Sequence, residues 1–402
     1  MPKSLWLLIF GMVFNVTGIS FLFPLNTIYI HEHLGHSLTF AGFVLMLNSG
    51  AGIVGNLIGG MMFDRIGGYK SILSGVIIAT AAGFLMAMFH STWPYTIFLA
   101  VIGFGSGLIF PSMYALAGTV WPEGGRKAFN ALYVAQNLGV ALGASVGGFI
   151  ASVSFIYIFV VNGIMYLFFA LIVLLTYKSI DPRNEAIDVQ TSMMEQSGAI
   201  KNKHRFYSLV VLCIGFFICW IAYVQWQSTI SVYTQSLGIP LAKYSLLWSI
   251  NGLLIVLGQP AVSFIVRYLK LPKAQILTGI AIFVISFISL LFSHQFSGFL
   301  ISMIILTLGE MLVWPAVPSI AQDLAPNGKS GFYQGFVNSV STGGRMVGPL
   351  IGGFIVDLTN IHVLIYILLF IYIGAVITTL IYDKSLNRRL CRQQHLVNRY
   401  KE

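Results

Sequence analysis

Residues 308–353 decide the fold: LGEMLVWPAVPSIAQDLAPNGKSGFYQGFVNSVSTGGRMVGPLIGG. The stretch predicts two apolar helices joined by a short polar turn at residues 323–330, with Glu310 inside the first helix and Arg345 inside the second. A charge at mid-depth of a bilayer costs at least about 2.5 to 3.5 kcal/mol, so such residues usually face a bundle interior or a wet cavity. Because Glu310 and Arg345 lie at similar distances from the turn, we expect them at similar depth, where they can meet.

The composition predicts an all-α polytopic membrane protein. The chain has 402 residues, of which 57% are hydrophobic and only 8% charged, whereas about a quarter of the residues in soluble domains are charged. Twelve apolar runs are long enough to cross a bilayer as helices. They fall at 5–30, 39–62, 70–89, 95–120, 128–151, 154–178, 206–232, 243–267, 273–293, 297–321, 331–356 and 362–382.

The basic residues predict the topology. Of the 22 Lys and Arg residues, all but Arg345 and Lys243 fall on one side of this arrangement. Because Lys and Arg concentrate in cytoplasmic loops, both termini are expected to be cytoplasmic, in a plasma membrane. The net charge of +10 then reflects topology and contact with anionic membrane lipids, and it does not require a nucleic-acid partner.

The chain divides into two related halves. The long polar stretch at residues 179–205 predicts a cytoplasmic linker between a bundle at 1–178 and a second at 206–382, followed by a basic tail at 383–402. Asn48 recurs as Asn251 at an offset of 203, and GVALGASVGG at 139–148 recurs as GRMVGPLIGG at 344–353 at an offset of 205. Internal repeats of this kind build transporters whose site lies between the halves near the midplane.

The loop between the second and third segments carries the motif G-x-x-x-D-R-x-G, formed by Gly60, Asp64, Arg65 and Gly67, with Lys70 after it. This pattern resembles the loop motif of the major facilitator superfamily, whose layout of twelve helices in two pseudo-symmetric six-helix bundles matches the whole chain. The resemblance implies a cytoplasmic gate at Gly60, Asp64, Arg65 and Lys70, in which Asp64 and Arg65 act as a latch. The second arginine of the family motif is missing here.

The glycine motif in the fifth and eleventh segments resembles that of the 12-helix drug:proton antiporter branch. The better copy lies in the eleventh segment, and Ala144 replaces the proline in the fifth. The expected helix-packing residues are Gly139, Gly143, Gly344, Gly348, Pro349 and Gly352. The resemblance implies multidrug efflux by antiport. It also implies fewer acidic residues than usual to carry protons, because Leu132 and Gln227 stand where related proteins carry carboxylates.

Glu310 is the one acid among the twelve of the sequence that the predicted helices place mid-membrane. Burial favours its protonated form and a nearby base its ionised form, so Glu310 and Arg345 are the predicted proton-coupling pair. A static ion pair between two helices is the alternative.

In the superfamily the first, fourth, seventh and tenth helices line the substrate cavity. Aromatic groups around one carboxylate suit lipophilic, often cationic, small molecules, although aromatic side chains also occupy lipid-facing positions. The expected cavity residues are Asn15, Asn26, Phe110, Tyr114, Trp220, Tyr223, Gln227 and Trp314.

No other chemistry is indicated. His31, His33 and His36 follow one another in a short loop, which favours a solvated loop over a metal site, and no phosphate-binding loop or protease motif occurs. We therefore expect no cofactor, no metal and no enzymatic activity, only a proton gradient as energy source and a monomer as the working unit. Two alternatives stay open: a dedicated carrier or flippase of a single metabolite or lipid-linked substrate, and a non-transporting receptor or scaffold.

Overall fold

The computed structural model describes residues 1–22, 26, 29–89, 91–153, 155–181 and 199–384. The regular elements within these ranges are helical, without a strand. This arrangement matches the expected all-α architecture, and apolar side chains form one core cluster in each half of the chain.

The N-terminal half contains six long helices. They are α1 (Lys3–Leu22), α2 (Leu38–Ile66), α3 (Gly68–Met88), α4 (Thr92–Val120), α5 (Arg126–Val153) and α6 (Phe155–Ile172). A π-helical turn at Tyr29–His33 precedes α2, and α6 continues through a second π-helical turn to Ile180. Of the first predicted segment, residues 23–25 and 27–28 lie outside the described residues.

The C-terminal half repeats this plan with two interruptions. Its helices are α7 (Ala199–Tyr223), α8 (Thr229–Ser236), α9 (Leu241–Leu257), α10 (Gln259–Tyr268), α11 (Pro272–Leu291), α12 (Phe296–Leu324), α13 (Ser330–Leu358) and α14 (Ile361–Ile381). The chain bends by 58° between α9 and α10. Pro260 follows this bend directly, and a proline cannot donate the next backbone hydrogen bond of a continuous helix.

Within the described residues, nine helical stretches are long and apolar enough to cross a membrane, and the bent pair α9 and α10 would form a tenth. The two remaining predicted crossings correspond to α5 and α13, which are 28 and 29 residues long. Their glycine, serine and asparagine residues lower their hydropathy, and many of these residues pack against neighbouring helices instead of lipid.

Close packing at glycines repeats between the halves. Gly75 of α3 meets Gly105 of α4, and Gly279 of α11 meets Gly309 of α12, so that a Cβ atom at any of these glycines would press on the opposite backbone. The pairs are related by the sequence offset of 204. Small residues let helix backbones approach closely in a bilayer, so the repeat in the sequence corresponds to a repeat in the packing.

Most of the predicted linker, at 182–198, and most of the predicted tail, at 385–402, lie outside the described residues. Helix α7 begins at Ala199, inside the stretch that was expected to be linker. Beside the tail, the Nζ atom of Lys273 pairs with Asp383 Oδ1 at 2.6 Å. The domain boundaries themselves stay a prediction.

Candidate functional site

Glu310 lies in the middle of α12 and is 1% exposed. The Asn251 side chain of α9 donates a hydrogen bond of 2.7 Å to Glu310 Oε1 and another of 2.9 Å to Thr307 Oγ1. Thr307 in turn donates to the carbonyl of Met303. A buried carboxylate is tolerated where hydrogen bonds satisfy its oxygens, so Asn251 is the polar partner that holds Glu310 in place.

Aromatic side chains complete the surroundings of this carboxylate. Tyr133, Tyr223 and Trp314 face Glu310. Tyr133 comes from α5 in the N-terminal half, is 6% exposed, and its hydroxyl meets no hydrogen-bond partner in the part of the chain that the structure describes. The Glu310 site is therefore built from both halves.

Arg345 of α13 is exposed, and its guanidinium lies 5.0 Å from the ring centre of Trp220. Trp220 stacks on Trp314 with ring centres 4.4 Å apart and planes 4° apart. Because Trp314 fills one face of Trp220, Arg345 occupies the other. The described residues contain no salt bridge between Arg345 and Glu310, so the predicted pair is not formed in this conformation and the two indoles lie between the charges.

Two of the expected cavity residues, Tyr114 and Phe110, lie on α4 in the N-terminal half. Tyr114 stacks on Phe129 at 6.2 Å and donates a hydrogen bond to Gln136 Oε1, and Arg345 lies close enough to Tyr114 to act on it electrostatically. Phe110 is half-buried against the N-terminal core.

The two asparagines predicted for the cavity differ in their contacts. Asn26 accepts a 2.7 Å hydrogen bond from the Tyr95 hydroxyl, which holds it within the N-terminal half. Asn15 is fully buried in α1, and neither polar atom of its amide has a partner among the described residues.

In one continuous helix Trp220, Tyr223 and Gln227 would share a face, because they lie at positions i, i+3 and i+7, but the structure does not place Gln227 on that face. Helix α7 ends at Tyr223 and a 3-10 turn at Val224–Trp226 follows, which breaks the helical period, and Gln227 is exposed.

The buried glutamine is Gln225 instead. It donates to the carbonyls of Ile221 and Gly348 at 2.9 and 2.8 Å, and it accepts from Thr229 at 2.9 Å. Sequence reasoning missed Gln225, because no proline or glycine marks the break in α7.

The expected packing glycines lie at equivalent places in the two halves. Gly139 and Gly143 of α5 face Val16, Thr17 and Ser20 of α1. Their counterparts in α13, Gly344 and Gly348, face Trp220 and Val224 at the end of α7. Gly352, one turn further along α13, faces Gln225, and Pro349 is half-buried beside them.

The two halves meet at one end of the bundle. We call it the basic end, because Arg65, Lys70, Arg126, Lys127 and Lys329 lie around its connections. Here the carboxylate of Asp64 accepts hydrogen bonds of 2.8 and 2.7 Å from the backbone N–H groups of Gly331 and Phe332, at the start of α13. A helix N-terminus carries partial positive charge, so it favours this carboxylate.

Of the other residues predicted for the gate, Gly60 packs against the opposite half, whereas Arg65 and Lys70 do not contribute ion pairs within the described residues. Gly60 lies so close to Gly331 that a Cβ atom on either residue would overlap the other backbone. Arg65 and Lys70 are exposed, and their side chains make no ion pair with the residues that the structure describes.

A second bridge between the halves, formed by an arginine that begins near the basic end and reaches the middle of α12, was not predicted. Nη2 of Arg126, at the start of α5, donates to the carbonyls of Met311 and Leu312 in α12 at 2.8 and 3.3 Å. The carbonyl of Met311 lacks its helical partner because residue 315 is a proline, which has no N–H to donate. The proline in α12 could have indicated a free carbonyl, but not which residue binds it.

Three further polar contacts join the two halves. Asn130 donates to Gln259 Oε1 at 2.7 Å, and Ser339 donates to the carbonyl of Ile53 at 3.2 Å. Asn56 and Thr342 meet at 3.4 Å. The halves are thus closed against each other at the basic end.

The histidine loop makes local contacts. His31 Nδ1 donates to the carbonyl of His36 at 2.8 Å, and His36 Nε2 forms a 2.7 Å hydrogen bond with Thr92. No group of three or more His, Cys, Asp or Glu side chains suited to a metal ion occurs within the described ranges.

Comparison with known proteins gives relatives of the same general kind. The chain is 55% identical to the uncharacterized MFS-type transporter YttB of Bacillus subtilis (strain 168) over 388 residues, which is 96% of each chain. It is 22% identical to the quinolone resistance protein NorA of Staphylococcus aureus (strain COL), over 95% of this chain and 97% of that one.

Solved structures agree on the fold. The human organic anion transporter MFSD10 superposes with a TM-score of 0.74 at 13% identity, covering 94% of this chain and 100% of that one. The sequence model of the Major Facilitator Superfamily matches residues 8–349 and 270–395. The chain therefore belongs to the major facilitator superfamily of transporters, whose fold it shares.

Proposed function

We propose that the protein is a secondary active transporter that exports lipophilic small molecules in exchange for protons, by alternating access. The observation that carries this proposal is the Glu310 site. A carboxylate that is buried, held by Asn251 and faced by Tyr133 across the boundary between the halves is placed so that a rocking motion changes its surroundings. Burial favours the protonated form of a carboxyl group, and access to water favours the ionised form.

The mechanism follows from this geometry. In the described conformation Tyr133 covers Glu310 from the N-terminal half. Separation of the halves at the basic end would withdraw Tyr133 with α5 and admit water to the carboxylate, which would release its proton there. Closure would bury the carboxylate again. A proton taken up on one side is thus carried to the other only when the halves move, which is the requirement for coupling.

The orientation is part of the proposal. Lys and Arg concentrate on the cytoplasmic side of membrane proteins, so we assign the basic end to the cytoplasm of a plasma membrane, with both termini on that side. The closed basic end then describes an outward-facing state. Each half has its own core, so a monomer suffices for the rocking motion.

Relatives support export of several compounds. NorA is named a quinolone resistance protein, and the chain is 23% identical to the multidrug resistance protein MdtH of Cronobacter sakazakii over 85% of its length. The stacked Trp220 and Trp314 beside Tyr223 surround the site with aromatic side chains, of which Trp220 is the most accessible. Such surroundings suit compounds with rings rather than a polar metabolite.

Transport in inside-out membrane vesicles tests the proposal. Vesicles from cells that produce the protein are acidified by respiration, and aromatic compounds that are cationic, zwitterionic, neutral or anionic are added in turn. We expect several of them to accumulate in the vesicles and to release protons, read as dequenching of a pH-sensitive acridine dye. Vesicles with Glu310→Gln are the control and should show no proton release.

The alternatives give different results in the same assay. Movement of one compound alone would indicate a dedicated carrier, and movement of none a receptor or scaffold. Accumulation that continues after an ionophore removes the proton gradient would overturn proton coupling.

A further inference from the structure

Arg345 is a cation that the rest of the site leaves without a neutralising partner. It lies deep in the bundle, since it is the sixteenth residue of α13, about 22 Å from the basic end at 1.5 Å per residue. Its side chain is nevertheless exposed. Because its guanidinium lies over Trp220 and acts electrostatically on Tyr114 and Tyr223, this exposure is to a space between the halves and not to lipid.

The nearest acid of the site is not available to Arg345. Glu310 is almost fully buried, is bonded by Asn251, and lies at the far end of the Trp220–Trp314 stack. The salt bridge that the described residues do form is remote from the site, between Lys273 and Asp383. The described residues give this guanidinium no ion pair, and an anion entering the space beside it would pair with it.

A second donor lies beside the guanidinium. Nε1 of Trp220 is buried and has no hydrogen-bond partner among the residues that the structure describes. The ring below Arg345 thus carries an unused N–H group, while Trp314 and Arg345 cover its two faces. Planar carboxylates accept two parallel hydrogen bonds from a guanidinium, and a ring attached to the carboxylate can lie beside Trp220, which is only half-buried.

We propose that the preferred substrates are amphiphilic aromatic anions, whose carboxylate or similar group binds Arg345 next to Trp220. This inference rests on the proposed transport function and specifies its substrate class. It reverses the charge expected from the sequence, in which a lone carboxylate among aromatic residues suggested cations. Glu310 then binds the proton and Arg345 binds the substrate, on opposite sides of the stacked indoles.

Binding of three matched probes tests the inference. The full-length protein in nanodiscs of zwitterionic lipid is titrated calorimetrically with 1-naphthoate, 1-naphthamide and 1-naphthylmethylammonium, which share one ring system. We expect naphthoate to bind about 10- to 100-fold more tightly than the other two, as charge-assisted hydrogen bonds allow. Arg345→Gln should remove this preference and Arg345→Lys should retain part of it, whereas Arg267→Gln, a change at an exposed arginine of α10, should leave it unchanged.

The wild-type protein alone is sufficient to overturn the inference. Equal affinities for the three probes, or tighter binding of the ammonium probe, would contradict it even if Arg345→Gln failed to fold. Such a result would leave proton-coupled export standing. Conversely, preferred binding of naphthoate without proton release in vesicles would keep the anion site and contradict the coupling. If phosphatidylglycerol in the nanodiscs competes with naphthoate in an Arg345-dependent way, the same site takes the anionic group from a lipid.

Discussion

At the scale of single residues, Glu310 should be essential for coupling and dispensable for folding. Glu310→Gln keeps an amide oxygen that can accept the hydrogen bond from Asn251, but it cannot bind or release a proton. We expect uphill transport to be lost and exchange of substrate down its own gradient to continue. Counterflow in proteoliposomes measures the exchange. Uphill transport by this variant would exclude Glu310 as the proton carrier.

The partner of Glu310 can be identified by double-mutant cycles. Asn251 bonds the carboxylate at 2.7 Å, whereas Arg345 lies beyond the two indoles. We expect a coupling free energy of about 1.5 to 3 kcal/mol between Asn251→Leu and Glu310→Met, which removes the acceptor oxygen, as for hydrogen bonds to charged groups. For Arg345→Gln with Glu310→Met we expect less than about 0.5 kcal/mol.

Denaturant unfolding of the purified variants gives these coupling energies. The Arg345 cycle is the matched control for the Asn251 cycle, because both include the same Glu310 substitution. A large coupling free energy in the Arg345 cycle would show that Arg345 and Glu310 interact, as the sequence suggested.

Sequence reasoning found Glu310 because a lone acid within apolar segments is conspicuous. It missed Arg126 because a base at the predicted edge of a segment counts as a loop residue, whatever its side chain reaches. It also misplaced Gln227, since the helical spacing that joined it to Trp220 ends at Tyr223. Contacts between distant segments, such as Arg126 with Met311, leave no periodic pattern in the sequence.

At the scale of the elements, Pro315 and Arg126 act together to join α12 to the N-terminal half. The proline frees the carbonyl of Met311, and Arg126 binds it from the other half. Arg126→Gln should weaken closure at the basic end, because a charged hydrogen bond worth about 1.5 to 3 kcal/mol is lost. Spin labels on α4 and α12 at that end should then show a larger population at long distance in double electron–electron resonance.

Two further variants sharpen this test. Pro315→Ala restores the N–H group that bonds Met311 within α12, so it should compete with Arg126 and open the same end. Lys127→Gln removes a neighbouring exposed charge and should change nothing. Equal distance distributions for Arg126→Gln and Lys127→Gln would show that the bridge does not hold the halves together.

The start of α13 should respond in the same direction. Asp64→Asn removes the charge that favours the helix N-terminus and leaves a single acceptor oxygen for the N–H groups of Gly331 and Phe332. We expect slower transport, normal expression and a larger open population at the basic end. Unchanged transport rates in vesicles would reduce Asp64 to a structural residue.

At the scale of the whole molecule, the closed basic end predicts one-sided access to the site. Arg345→Cys should react with a membrane-impermeant thiol reagent added to the face opposite the basic end, while Lys127→Cys should react only from the basic end. Labelling of right-side-out and inside-out vesicles measures both. The reverse pattern at position 345 would contradict the outward-facing assignment.

The overall architecture was accessible from sequence because length, hydropathy and internal repetition are properties of the whole chain. The twelve apolar runs correspond to the described helices, with the seventh interrupted by a 3-10 turn and the eighth divided at its bend. The conformational state was not accessible, because one sequence encodes both the open and the closed arrangement of the halves. Which contacts exist depends on the state, and the described state lacks the predicted salt bridge between Glu310 and Arg345.

Two of the bridges between the halves depend on side chains from the N-terminal half alone. Asp64 and Arg126 both lie in the N-terminal half, and both bind main-chain atoms of the C-terminal half. Every amino acid carries a carbonyl and all but proline an N–H, so ordinary substitutions at Met311, Leu312 or Phe332 do not delete the bonding atoms. Mutations that remove these bonds directly should therefore fall mainly at Asp64 and Arg126, in the first half of the gene.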